Sequence, residues 1–144
     1  MRICFDMDGT IANLYGVENW LADLRTGNPR PYKEAEVMLN MNILARLLNK
    51  LQKKGHKIVI VSWLSKVSNV DYDKAVTEAK KDWLAKHLAS VQFDEINIVS
   101  YGINKNLFCQ SENDILFDDE KQNRDNWSGK AYDVNNILEI LKEI

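Results

Sequence analysis

Apolar and polar positions divide the chain into strands and helices that take turns. Arg2-Ile3-Cys4-Phe5 is a short apolar run that stops at an acidic turn, as a buried strand does. Leu39, Ile43, Leu47 and Leu51 recur every four residues and Leu44 and Leu48 widen the stripe, which predicts an amphipathic helix. Gly55 stands where a helix C-cap belongs. Lys57-Ile58-Val59-Ile60-Val61 is continuous and β-branched, the pattern of a strand buried on both faces of a parallel sheet. Tyr72, Val76, Ala79, Trp83 and Leu84 predict a second helix, with Asp71 as the cap at its start. Ile96-Asn97-Ile98-Val99 and Asp114-Ile115-Leu116-Phe117 predict two more strands. Val134, Ile137, Leu138, Leu141 and Ile144 predict a closing helix.

Strands alternating with helices build right-handed β-α-β units with helices on both faces of the sheet. The fold class expected is therefore α/β, a three-layer sandwich with a mainly parallel sheet. With 144 residues and no internal repeat, a single domain spanning 1–144 is expected. In open sheets of this kind, ligands bind beyond the carboxyl ends of the strands. The residues to weigh are then those that follow each strand: Asp6, Asp8, Gly9 and Thr10, then Ser62 and Trp63, then Lys105, then Asp118 and Asp119.

Several carboxylates gathered at one edge repel one another and do not all stay ionised alone. A hard divalent cation removes the conflict, and an oxygen-only donor set points to Mg²⁺ rather than zinc. A carboxylate left over can attack phosphorus. A lysine and a hydroxyl can hold the phosphoryl oxygens against the charge that develops in transfer.

Phe5-Asp6-Met7-Asp8-Gly9-Thr10 resembles the first motif of the haloacid dehalogenase (HAD) superfamily, DxDGT after an apolar strand. Ile60-Val61-Ser62 resembles the second motif, Lys105 the third, and Asp114 through Asp119 the fourth, in the family's order and over almost the whole chain. Within the superfamily the sequence is most similar to the 5′(3′)-deoxyribonucleotidases and their bacterial and phage relatives. Asp6 through Ala12, Lys81 through Leu88, and Asp114 through Asp119 carry that likeness. Asn113 stands where that family usually has Gly, and Thr10 where it often has Val. The Tyr15-to-Met38 segment is shorter than a full nucleotidase cap.

The resemblance implies a HAD-like, Rossmann-like sandwich with a minimal cap, a small helical lid inserted at about 13–38. It implies Mg²⁺-dependent phosphomonoester hydrolysis through an aspartyl-phosphate. Asp6 would be the nucleophile and a metal ligand. Asp8 would be the acid and then the base, its backbone carbonyl on the metal. Ser62 and Lys105 would bind phosphate, with Gly9, Thr10 and Trp63 beside the substrate. One of Asp118 and Asp119 would bind the metal directly and the other through water. The implied substrate is a small phosphorylated molecule, a (deoxy)nucleoside monophosphate.

Bland readings compete at several of these positions. Ser65 and Ser68 follow Ser62 closely. Lys80 and Lys81 also fit the third motif, but charged neighbours on a helix read as a solvated face, so Lys105 is preferred. Trp63 either faces a ligand or packs. Tyr15, Trp20, Leu21 and Leu24 either stack on a base or pack their own helix. His56 and His87 have no placed partner and read as surface or packing residues.

Nineteen Lys and Arg against 21 Asp and Glu leave a formal charge of −2, which gives no broad attraction for nucleic acid or an anionic membrane. No apolar run approaches the ~20 residues that span a bilayer, and no signal peptide is expected from Met1-Arg2-Ile3-Cys4-Phe5. Cys4 and Cys109 are read as reduced thiols, and the cytoplasm as the compartment. Two rivals stand beside the nucleotidase reading. One is a phosphatase for a larger substrate, a nucleic-acid 3′-phosphate or a phosphoprotein, admitted by a small lid. The other is a non-catalytic module that keeps the site to hold a phosphorylated ligand. Oligomeric state stays open, since a minimally capped enzyme can borrow a neighbour to shield its site.

Overall fold

Strand β1 (Arg2–Phe5) runs through the centre of the sheet in the computed structural model, which describes all 144 residues. It pairs in parallel with β4 (Lys57–Trp63) on one side and β6 (Ile115–Phe117) on the other. Strand β5 (Glu95–Val99) extends the sheet beyond β4, and β7 (Lys130–Tyr132) beyond β6. The order β5-β4-β1-β6-β7, parallel throughout, requires a crossover after every strand.

Side-chain alternation divides the core. Ile3, Phe5, Ile58, Ile60, Ile115 and Phe117 face one way, onto α3 (Met41–Lys53), α4 (Val70–His87) and α6 (Ile137–Lys142). Leu44, Leu48 and Leu51 of α3 are almost fully buried there, as their four-residue spacing predicts. Cys4, Val59, Val61 and Leu116 face the other way, under Trp127, Phe108 and Cys109. That second face is covered by the 3₁₀ turn Lys105–Phe108, the short α5 (Lys121–Asn126) and the residues that follow each, Cys109 and Trp127. The result is a three-layer α/β fold with one thick and one thin outer layer. Both cysteines are free thiols, and burial pushes the Cys4 thiol up to about 12.

Between β1 and α3 the chain leaves the sheet edge. Strands β2 (Ala12–Asn13) and β3 (Glu36–Val37) form a short antiparallel ribbon. Between them lie a 3₁₀ turn (Leu14–Gly16), α1 (Trp20–Arg25) and α2 (Arg30–Glu34). Arg30 ties this segment together through Asp23 and Glu34, and α2 packs on α4.

Several features depart from the sequence reading. Among them are Leu39, which precedes the Asn40 cap and lies outside α3, and α5 and the β2–β3 ribbon, which the apolar pattern does not predict. Strand β7, and with it the fifth position in the sheet, was not expected, because Lys130-Ala131-Tyr132 is too short and mixed to show a period. The closing helix is a 3₁₀ turn (Val134–Asn136) followed by α6. Helix α4 is capped by Asn69, whose side chain accepts from the Tyr72 amide at 2.9 Å, and not by Asp71, which lies in the first turn. Asn69→Ala should therefore cost about 1 kcal/mol of unfolding free energy. Asp71→Ala should cost only about 0.3 kcal/mol, its charge merely favouring the helix N-terminus. Urea titration of the two variants distinguishes the cap from its neighbour.

Candidate active site

Register positions the acidic residues. Phe5 is level with Ile60 on one side and Phe117 on the other, so the next residues, Asp6 and Asp118, emerge side by side at the carboxyl edge. The Asp6 amide donates to the Phe117 carbonyl at 2.9 Å, which prolongs the ladder by one bond before the chain turns away. The turn is tight: the amides of Thr10, Ile11 and Ala12 all donate to the Met7 carbonyl. Gly9 sits within it at φ +78°, a conformation that costs a glycine little. A Cβ there would collide with the Asp119 carboxylate.

Carboxylate oxygens of Asp6, Asp118 and Asp119 lie within 4.8 Å of one another. Lys105, 2% exposed, donates to Asp6 Oδ1 and Asp118 Oδ2, both at 2.8 Å. Thr10 Oγ1 donates to Asp6 Oδ2 at 2.9 Å and lies 3.4 Å from Asp119 Oδ1. The Glu120 amide and Asn123 Nδ2 complete the shell of Asp118. Arg124 Nη1 donates to the carbonyls of Asp118 and Asp119 and fixes the loop from the far side.

Burial and the neighbouring Asp6 charge push the Asp118 carboxyl up to about 6 and that of Asp119 up to about 8. For Lys105 burial favours the neutral amine, but the Asp6 and Asp118 carboxylates outweigh it and the net shift is upward. Three crowded oxygen donors, two of them reluctant to ionise, fit a hard divalent cation such as Mg²⁺.

Asp8 is turned the other way. Its Oδ2 accepts from Lys80 Nζ at 2.8 Å, and the same ammonium donates to Ser62 Oγ at 2.6 Å and the Trp63 carbonyl at 2.7 Å. Burial raises the Asp8 pKa against the opposing pull of Lys80. Charged neighbours predict a solvated face for Lys80 and Lys81; Lys81 is exposed, but Lys80 is only 1% exposed. The signal was present in the spacing, since Lys80 lies four residues after Val76 and four before Leu84, on the buried stripe. Asn123 and Arg124 were also missed, and the polar run Lys121–Asn126 gives no period that marks them.

A cleft of about 370 Å³ opens over these groups. Asp6, Asp8, Lys105, Asp119 and Asn123 lie at its base. Tyr15, Trp20, Leu21, Leu24 and Tyr32 form one wall, Trp63, Leu64 and Tyr101 the other. Trp63 donates from Nε1 to the Ile103 carbonyl, and its ring lies 5.0 Å from that of Tyr101 and 5.3 Å from Lys105 Nζ. Ser62 is fully buried and does not line the cleft; Ser65 does. Neither histidine is near: His56 Nδ1 lies 3.1 Å from the amino terminus, and the His87 ring packs at a tilt of 47° against Trp83.

The raised carboxyls make stability depend on pH. Between pH 5 and 8 the folded state holds protons on Asp118 and Asp119 that the unfolded chain has released, so stability falls as pH rises through this window. A cation bound by the ionised carboxylates reverses the loss. Thermal unfolding should show metal-free protein less stable at pH 8 than at pH 5.5, and a gain from added Mg²⁺ that is larger at pH 8.

No family model matches the chain, and no curated protein does. Solved structures match its fold. One is the "Structure of Pnkp1/Rnl/Hen1 complex", at TM-score 0.56 and 20% identity, covering 92% of this chain and 44% of that one. Another is the "Crystal structure of D,D-heptose 1,7-bisphosphate phosphatase from Burkholderia Thailandensis", at TM-score 0.52 and 16% identity, covering 86% and 69%. The chain thus spans less than half the length of the first and about two thirds of the second, and what it shares with both is the parallel three-layer architecture.

Proposed function

We propose that this chain is a phosphatase of the haloacid dehalogenase type, hydrolysing phosphomonoesters through an aspartyl-phosphate on Asp6. The observation that carries the reading is the Lys105 ammonium, 2.8 Å from both Asp6 and Asp118, in a cluster of three carboxylates at the sheet edge. A solved phosphatase of the same fold supports it.

On this reading Asp6 attacks phosphorus, and the ester P–O bond breaks as Asp8 gives its proton to the leaving oxygen. Water then attacks the aspartyl-phosphate, Asp8 takes the water's proton, and Asp6 and orthophosphate are released. Lys105 spends two of its three N–H groups on Asp6 and Asp118, and the third is free for a phosphoryl oxygen. Ser62 accepts from Lys80 at 2.6 Å and does not line the cleft, so on this reading it supports the site through Lys80 and not by touching the phosphoryl group. The Thr10 hydroxyl and the Gly9 turn hold the Asp6 carboxylate in place. Mg²⁺, held by Asp6, the Asp8 backbone carbonyl, and Asp118 and Asp119 (one directly, one through water), would neutralise charge on the transferring group.

The substrate proposed is a nucleoside monophosphate, a deoxyribonucleotide first. Segment 13–38 is then a lid, and the aromatic walls of the cleft suit a planar base. A 370 Å³ cleft takes a small molecule. No helix is long and apolar enough to cross a membrane; the free thiols fit the cytoplasm proposed as the compartment.

With Mg²⁺ the protein should hydrolyse p-nitrophenyl phosphate. Asp6→Asn, chelator and Lys105→Ala should each lower kcat by about 100-fold or more. In a panel of nucleoside monophosphates, sugar phosphates and an oligonucleotide 3′-phosphate, the deoxyribonucleotides should have the highest kcat/KM. Sugar phosphates or the oligonucleotide winning would remove the substrate assignment. Protein that binds phosphate but turns over none of the panel would be a binding module.

A further inference from the structure

We infer that Lys80 is a positioning residue that sets the Asp8 carboxylate for proton transfer, an inference that rests on the phosphatase reading above.

The Lys80 ammonium has three N–H donors and three acceptors at hydrogen-bond distance: Asp8 Oδ2, Ser62 Oγ and the Trp63 carbonyl. No donor is left for a substrate oxygen. Lys80 is not part of the cleft wall, whereas Asp8 is, with its side chain 17% exposed. Lys80 therefore acts on a ligand only through the groups it holds. Lys105 differs on both counts, since it lines the cleft and has a donor to spare.

The three acceptors come from two separate stretches of backbone, the turn after β1 and the end of β4, while Lys80 itself is on α4. A lysine stem fixed at one end in the packed face of α4 and at the other by two bonds to β4 has little freedom. Its third bond occupies Asp8 Oδ2 and leaves Oδ1 without a protein partner. Holding one oxygen of a carboxylate fixes where the other points, and a group that passes a proton to a leaving oxygen depends on that aim. A hydroxyl or an amide has too few donors to serve all three acceptors at once.

An alkyl phosphate has a poor leaving oxygen and needs the proton in the first step, whereas p-nitrophenolate leaves without it. Lys80→Met should lower kcat/KM for an alkyl phosphate at least about 10-fold more than for p-nitrophenyl phosphate. In an Asp8→Asn background the same substitution should leave the ratio between the two substrates unchanged. The double variant removes both charges of the pair, so no unpaired ion stays enclosed. Lys80→Gln, which keeps two N–H donors, serves where Lys80→Met does not fold. Equal losses on the two substrates, or a differential loss that persists without the Asp8 acid, would overturn the positioning role and leave the phosphatase intact. Wild-type protein inert toward both esters, or Asp6→Asn protein as active as wild type, would remove the phosphatase reading and Lys80's role with it.

Discussion

Charge balance at the carboxyl edge of the sheet governs the site. Four carboxylates, those of Asp6, Asp8, Asp118 and Asp119, face two enclosed ammonium groups, Lys80 and Lys105. Fully ionised, the six groups sum to −2, an excess that a largely dehydrated pocket does not tolerate. The chain meets it in part by protonation, with the Asp118 and Asp119 carboxyls pushed well above their ordinary range. A divalent cation meets it in full, which is why the donor chemistry and the charge count lead to the same ion. Removing either lysine would deepen the excess, so the three ion pairs they make are as much a condition of folding this edge as of any reaction at it.

Parallel register is what brings the charges together. Asp6 and Asp118 are more than a hundred residues apart in sequence, yet they follow paired residues on neighbouring strands. Three strands buried on both faces carry the backbone to a common edge, where the polar residues that follow β1 and β6 meet. Ser62, near the end of β4, stays buried and accepts from Lys80. Asp114, at the opposite end of β6, shows the complementary use of a carboxylate. It accepts from the amides of Arg2, Gln110 and Ser111 and so locks the entry of the strand without any role in the crevice.

What the sequence made legible follows from the range of the interactions involved. Strands β1, β4 and β6 and helix α3 show their period within a few residues, and the acidic and hydroxyl residues at the strand ends inherit their position from it. At Lys80 residue type and spacing conflict: a lysine on a buried stripe is expected only where buried acceptors await it, and those acceptors, Asp8 and Ser62, are 72 and 18 residues away. Asp71 suits a cap by residue type, but the helix already begins at Val70, and Asn69 accepts from the Tyr72 amide instead. Strand β7 has three residues and is stabilised by pairing with β6, a contact that no local pattern announces. Asn123 reaches Asp118 from a helix with no apolar face, so periodicity was silent there too.

Gly9 connects the two halves of the cleft in a way that constrains how either can vary. Its positive φ turns the chain back beneath Asp119, and the space a side chain would need is taken on one side by the Asp119 carboxylate and on another by the ring of Tyr15. Tyr15 in turn meets Trp20 edge to face, with ring centroids 4.9 Å apart. A single close approach therefore sets both the spacing of the acidic cluster and the seat of the aromatic wall. Aromatic residues farther along the 13–38 segment can change the shape of the cleft without touching the carboxylates. Tyr15 cannot move far without reaching the turn that holds Asp6, so on the proposed reading substrate preference should be set by residues from Trp20 outward and the chemistry by those inward of Tyr15.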